Sequence, residues 1–170
     1  MAGAGPDERA WVRGAQRGSA SDLEALFHAH WPRAHRAAYL VVHDSALAED
    51  IAQEGFLAAI RNLDRFDRRR PFGPWLHRIV VNRAIDAARA RALRGEAGLT
   101  EEAVAAGERE PVDRTVLAAL AELPPDQRAV VVLRHLLGYT PGEIARTLDL
   151  PRGTVNSRLR RGLDSMRERL

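Results

Sequence analysis

The chain has 170 residues, 26 of them basic and 23 acidic, for a net charge of +3. That length suits one compact domain or two small ones. Cys is absent, which excludes disulfides, thiolate metal sites and Cys nucleophiles, and no apolar run approaches the ~18–20 residues of a membrane span. Met1–Ala10 has no signal-peptide apolar region, so the expectation is a soluble cytoplasmic protein without membrane insertion. Every basic residue is Arg, a usage that with abundant Ala points to a GC-rich genome, and aromatics reach only 5%, which favours helices over sheets. The charge is unevenly spread. Residues 1–94 hold 15 Arg against 11 acids, residues 95–113 hold one against six, and residues 114–170 hold 10 against six. Two basic segments flanking an acidic connector suit two contacts with a polyanion, although solvated helix faces give the same counts.

The first helical signal runs from Pro6 to Arg17 and stops at Gly18. Ser21-Asp22-Leu23-Glu24 reads as a capping box opening an amphipathic stretch with Leu23, Leu26, Phe27, Ala34, Ala38 and Val41 at helical spacing. Pro32 is expected to kink or divide that stretch. His43-Asp44 reads as a turn, with Asp44 or Ser45 capping a helix to about Asn62. Asp64–Pro74 carries Arg, Pro, Gly and Phe in a pattern that does not sustain a helix, and Pro74 fits the first turn of the next one. That helix ends near Arg94-Gly95. Gly95–Pro111 is acidic and reads as a flexible tether, which leaves the relative placement of its two flanks open. Beyond it, helices are expected over Val112–Leu123, Gln127–Leu137 with Gly138 as terminator, Thr140–Leu148 opened by a capping box, and Gly153–Arg169. The fold class is all-α: two small helical domains joined by a flexible acidic linker.

The last two helices carry the most information. A capped helix with Ile144, Ala145 and Leu148, a tight turn at Asp149-Leu150-Pro151, and a second helix starting Gly153-Thr154-Val155 have helix-turn-helix spacing. Val155, Leu159 and Leu163 would face the core, leaving Asn156, Arg158, Arg160 and Arg161 to project elsewhere. Early residues of such a second helix reach base edges in the major groove, where Arg pairs with guanine and Asn with adenine. Thr154 and nearby amides sit at a helix N-terminus, a favourable place for phosphate. The alternative is an amphipathic helix with a solvated Arg face.

Leu136–Arg161, LLGYTPGEIARTLDLPRGTVNSRLRR, resembles region 4 of bacterial sigma-70 factors of the extracytoplasmic-function (ECF) group, and Leu120–Leu133, LAELPPDQRAVVVL, resembles the entry to that region. Ala48–Phe56, AEDIAQEGF, resembles the region 2 segment that docks on RNA polymerase. Trp75–Arg89, WLHRIVVNRAIDAAR, is similar to the adjoining segment that melts and reads the −10 element.

The resemblance implies domains at residues 8–94 (region 2: polymerase binding, −10 recognition and melting) and 112–170 (region 4: −35 recognition and the β flap), with 95–111 as linker. Polymerase docking on the β′ clamp falls to Glu49, Asp50, Gln53, Glu54 and Leu57. Contacts to the −10 element fall to Arg68, Arg69, Arg70, Phe72, Arg78, Asn82, Arg83 and Arg89, with Asn82 near the captured base. Contacts to the −35 element fall to Arg152, Thr154, Asn156, Ser157, Arg158 and Arg161. Melting requires one base pulled from the stack, at a cost of a few kcal/mol that pocket and phosphate contacts offset. Trp75 reads more readily as core packing than as a stacking platform. Gly73-Pro74 replaces the polar residue and Thr that the family places before this Trp, which leaves the loop's base preference open. The resemblance also implies control by an anti-sigma partner. The chain stops at Leu170 directly after the last helix, so no C-terminal sensing extension is expected.

His28, His30 and His35 do not share one helical face, so no metal site and no cofactor are expected. No phosphate loop, nucleophile elbow or catalytic His–acid arrangement occurs, and the chain is expected not to be an enzyme. Two rivals remain: a helix-turn-helix activator that binds duplex DNA without polymerase, and a helical interaction protein with no DNA role.

Overall fold

The computed structural model describes residues 6–96 and 112–170. Apart from Gly95 and Glu96, the expected tether lies outside the described residues. The architecture is all-α: α1 (Pro6–Gln16), α2 (Ala20–Val42), α3 (Ser45–Arg61), a 3-10 turn (Leu63–Arg65), α4 (Phe72–Leu93), α5 (Arg114–Ala121), α6 (Pro125–His135), α7 (Pro141–Leu148) and α8 (Arg152–Arg167). No strand occurs among the described residues.

Helices α1–α4 pack around Leu26, Ala34, Ala38, Ile51, Phe56, Leu76 and Val80, all buried. Two aromatic groups pack in this unit, one with Phe27 stacked on Trp31 at 5.0 Å and the other with Phe66 against Trp75 at 4.5 Å between ring centroids. Helices α5–α8 build a second unit on Leu120, Leu123, Val130, Leu133, Ile144 and Val155. The units also pack on one another, α2 and α4 meeting α5, α6 and α7. The question of placement left open by the tether is thus answered by direct contact.

Local chemistry fixes most boundaries. Gly18, Gly95 and Gly138 adopt φ of +89°, +71° and +69° just past helix ends, where a side chain would be strained. Thr140 and Glu143 form the expected reciprocal capping box on α7. Asp44 caps α3 by accepting from the Leu47 N–H at 2.9 Å.

Three local expectations are corrected. The cap of α2 is Ser19, which accepts from Asp22 N–H at 3.3 Å, so the helix already includes Ser21. Pro32 does not divide α2, because it lies on the exposed face, where the carbonyl it leaves without a donor can be hydrated, while Ala34, Ala37 and Ala38 anchor the opposite face. Helix α4 starts at Phe72, with Pro71 as N-cap, so Phe72 and Gly73 are helical rather than irregular.

Candidate nucleic-acid interface

The candidates expected at the −35 element sit on α8, where Thr154, Ser157 and Arg158 are half-buried. Pro151 provides no side-chain cap, so the amides of the first turn are not satisfied by a neighbouring side chain, unlike those of α7. Arg152, Asn156 and Arg161 are exposed, whereas Val155, Leu159, Gly162 and Met166 are buried and orient the helix. Arg161 donates to the Ser157 hydroxyl at 3.0 Å, and Ser157 in turn donates to the Thr154 carbonyl at 3.3 Å. These bonds fix the guanidinium along the N-terminal half of the helix. Close packing permits this placement: a Cβ on Gly162 would stand 3.1 Å from Val131 Cγ2.

Helix α3 presents a different face. Glu49, Asp50, Gln53 and Glu54 are exposed at helical spacing, and Leu57 and Ile60 beside them remain 50% and 40% accessible, a large apolar exposure next to an acidic stripe. Gln53 donates to Glu49 Oε1 at 3.3 Å. The buried side of α3 carries Ile51, Phe56 and Gly55, where a Cβ would stand 2.5 Å from Val80 Cγ2. Gly55 is therefore what allows α3 to lie against α4 and hold its acidic face outward.

The loop before α4 exposes Arg68, Arg69 and Arg70. Asp67 takes two parallel hydrogen bonds from Arg69 at 3.0 Å each, and those bonds hold its carboxyl at about 2 and raise the Arg69 pKa. Arg69 is thus already paired, while Arg78 and Arg83 are exposed on α4, Arg83 lying 3.5 Å from Glu54. Phe72 departs from expectation. It is only 3% accessible, packed against His30, Phe66 and Trp75, so its ring serves the core and is not offered to a base. Trp75 packs in the same cluster, as its core reading expects.

Asn82 and Arg89 lie at the seam between the two units. Asn82 donates to the Thr147 carbonyl at 3.5 Å, and Arg89 pairs with Asp126. Arg158 of α8 lies 3.6 Å from the same carboxylate.

The sequence patterns described as Sigma-70 region 2 and Sigma-70, region 4 match residues 26–94 and 113–166. The chain is 29% identical over 179 residues to the ECF RNA polymerase sigma factor SigW of Bacillus subtilis, with 94% of each chain covered. It is 34% identical over 159 residues to the RNA polymerase sigma factor CarQ of Myxococcus xanthus, covering 90% of this chain and 91% of that one. The chain belongs to the ECF sigma factors. Among solved structures, CnrH in complex with the cytosolic domain of CnrY matches with a TM-score of 0.73 and 28% identity, over 95% of this chain and 96% of that one. As a sigma factor the protein binds core RNA polymerase and directs initiation at −35/−10 promoters.

Sequence reasoning missed the polar seam of this sigma factor. Arg128 is only 7% accessible and donates to the carbonyls of Leu120 at 3.0 Å, Ala121 at 2.7 Å and Leu123 at 2.9 Å, and also to Val41 across the seam. It sits at the negative ends of α5 and α2. Burial, with Arg91 nearby, lowers its pKa to about 10, still far above neutrality. The signal available was a cation on an apolar helix face, since Arg128 precedes Val131 and Val132 at i+3 and i+4. His77 is also buried and shares a 2.8 Å hydrogen bond with the Tyr139 hydroxyl. Burial, reinforced by His30 and Arg33, pushes its pKa down to about 3. Among the described residues no group of three or more His, Asp or Glu side chains is placed to hold a metal, and no helix is long and apolar enough to cross a membrane.

Proposed function

We propose that this sigma factor divides its work between residues 8–94, which dock on the polymerase β′ clamp and melt and read the −10 element, and residues 112–170, which hold the −35 element and touch the β flap. Residues 95–111 serve as the linker. The observation that carries this reading is the acidic face of α3, with Leu57 and Ile60 beside it, in the same chain as a helix-turn-helix. A DNA-binding activator has no use for that face, whereas a positively charged coiled coil on polymerase is steered by Glu49, Asp50, Gln53 and Glu54 and buries Leu57. Arg68, Arg70, Arg78, Arg83 and Arg89 track the displaced strand, with Asn82 at the captured base. Arg69 joins them only by giving up Asp67, and Phe72 is left out of the set. On α8, Arg152, Thr154 and Ser157 serve phosphates, while Asn156, Arg158 and Arg161 reach base edges.

The chain carries no reaction of its own, since nucleotide addition belongs to polymerase, and it acts in the cytoplasm beside the nucleoid. Control falls to an anti-sigma partner, a reading supported by the similar CnrH, which was solved with the cytosolic domain of CnrY. The test is run-off transcription from a promoter library by core polymerase with and without the chain. Initiation that requires the chain, with sequence preference at both elements, is the expected outcome. Duplex binding without any effect on polymerase would overturn it in favour of an activator.

A further inference from the structure

The loop that carries Arg68, Arg69 and Arg70 runs between two buried rings, Phe66 at its start and Phe72 at its end, whose centroids lie 5.9 Å apart. Its tip is held by bonds of its own: the Arg70 N–H donates to the Asp67 carbonyl at 2.9 Å, and Arg69 pairs with the Asp67 carboxylate. Its direction is set from a distant part of the chain. Gln16, the last residue of α1, donates from its side-chain amide to the carbonyls of Leu63 at 2.8 Å and Phe66 at 3.1 Å, 47 and 50 residues away. The Leu63 carbonyl also accepts from the Phe66 N–H at 3.0 Å, so it keeps a partner without Gln16. The Phe66 carbonyl belongs to the peptide that leads into Asp67, where the backbone leaves the 3-10 turn with φ −69° and ψ 129°. One NH2 group with two donors thereby bridges the 3-10 turn and the first peptide of the arginine loop.

Helix α1 can serve as a strut because it is fixed on α2 at both ends. Glu8, in its first turn, lies 2.6 Å from His30 Nε2, and both side chains are largely buried. Val12 is buried beneath the helix, and beyond it Gly14 leaves no room for a Cβ against the Asp22 carboxylate. His30 also reaches the far end of the loop. Its ring centroid lies 5.2 Å from that of Phe72, and a Cβ on Gly73 would stand 3.1 Å from its Cε1. The arginine loop is therefore gripped at Phe66 by α1 directly and at Phe72 through the residue on which α1 is anchored.

We propose that Gln16 is a positioning residue for promoter opening, holding Arg68 and Arg70 where they meet the displaced strand. This rests on the assignment of those arginines to the −10 element made above. With the Phe66 peptide released, the loop takes other paths out of the 3-10 turn, and opening falls with the fraction of molecules that keep the competent one. Loss of a neutral hydrogen bond whose acceptor water can reach shifts such an equilibrium about two- to tenfold.

Gln16→Met keeps the length of the side chain and removes both donors, while Arg68→Ala with Arg70→Ala removes the groups that Gln16 is proposed to place. Opening would be read from the fluorescence of 2-aminopurine in the −10 element of a duplex promoter selected by the holoenzyme. The full chain would be used at saturating core polymerase, with circular dichroism and core affinity measured alongside. Gln16→Met is expected to lower opening about fivefold with core affinity unchanged. In the chain that already carries Arg68→Ala and Arg70→Ala it is expected to change opening less than about twofold, because its effect runs through the same two groups. Gln16→Lys keeps a donor and is expected to retain most of the opening. Unchanged opening in Gln16→Met, a loss that adds in full to that of the two arginine substitutions, or equal losses in Gln16→Met and Gln16→Lys would each overturn the proposal. The underlying assignment fails separately: if Arg68→Ala with Arg70→Ala leaves opening intact, those arginines do not serve the −10 element, whatever Gln16→Met does.

Discussion

Replacing Arg128 with Met keeps a long apolar stem and removes the guanidinium. Three carbonyls then lose their donor, those of Ala121, Leu123 and Val41, while that of Leu120 keeps the Leu123 N–H at 3.2 Å. A buried acceptor left without a partner costs about 1–3 kcal/mol, and the lower figure applies where water can reach it. Water does have access, because a cavity of about 280 Å³ adjoins Arg128, lined also by His43, Arg91 and Glu122. Three such losses total about 3 kcal/mol, and relief of the buried cation's desolvation returns part of it. The expected net loss is about 2 kcal/mol, or about 4–8 °C in melting temperature for a chain of this size. Urea titration followed by circular dichroism measures it. Arg128→Lys should fall between, since one ammonium cannot reach carbonyls of two helices from both sides of the seam. A loss below about 1 kcal/mol for Arg128→Met would refute the view that the guanidinium closes two helix ends.

Gly55→Ala should destabilise region 2 by about 1–3 kcal/mol, because its Cβ would stand 2.5 Å from Val80 Cγ2, and Val80→Ala in the same chain should recover part of that in a melting curve. Asp50→Arg with Glu54→Arg should cut affinity for core polymerase by about 2–5 kcal/mol in a gel-shift competition while leaving the circular dichroism spectrum unchanged, since both side chains are exposed. Arg161→Ala should weaken promoter use by about 1–3 kcal/mol and relax the base preference at one −35 position, read from a promoter-library footprint. His77, with a folded pKa near 3 against an ordinary value of 6.5, binds more protons when unfolded, so its stabilising contribution is complete above pH 6.5 and is lost as pH falls toward 3. His77→Gln, set among His30, Arg33 and Tyr139, should flatten the acid limb of stability by about 1.4 kcal/mol per pH unit.

What was legible in the sequence was local. The Thr140–Glu143 box, Gly138 and Asp44 specify helix ends through groups three or four residues apart, and the structure uses each of them as expected. Where two local signals competed, pattern alone did not decide. Ser21 has the better box, but Ser19 follows Gly18, whose left-handed backbone turns the chain so that Ser19 stands first in line to meet the Asp22 amide. The apolar/polar pattern oriented α8 through Val155 and Leu159, with Gly162 and Met166 in place of Leu163 completing its buried face, while Phe72 in an Arg-rich loop read as a DNA contact, because its burial depends on His30 and Phe66 closing over it from other elements. The seam was beyond reach for a different reason. Arg128 and Val41 are 87 residues apart, and the acceptor is a main-chain carbonyl that every residue type carries equally.

The same chemistry bears on why the two regions meet as they do. A seam held by apolar anchors resists opening in proportion to the area it would expose. Here the named polar ties are arginines on carbonyls, the Arg89–Asp126 pair, and one His–Tyr pair. On opening, each of these groups except His77 exchanges a protein partner for water at small net cost. Three of the four acceptors of Arg128 lie in its own unit, so it keeps most of its bonds when Val41 is released. Each region can therefore stay folded as the seam parts. The apolar cores of the two units run together in one buried cluster, so these polar ties set only part of the cost of parting them, and the apolar area exposed sets the rest.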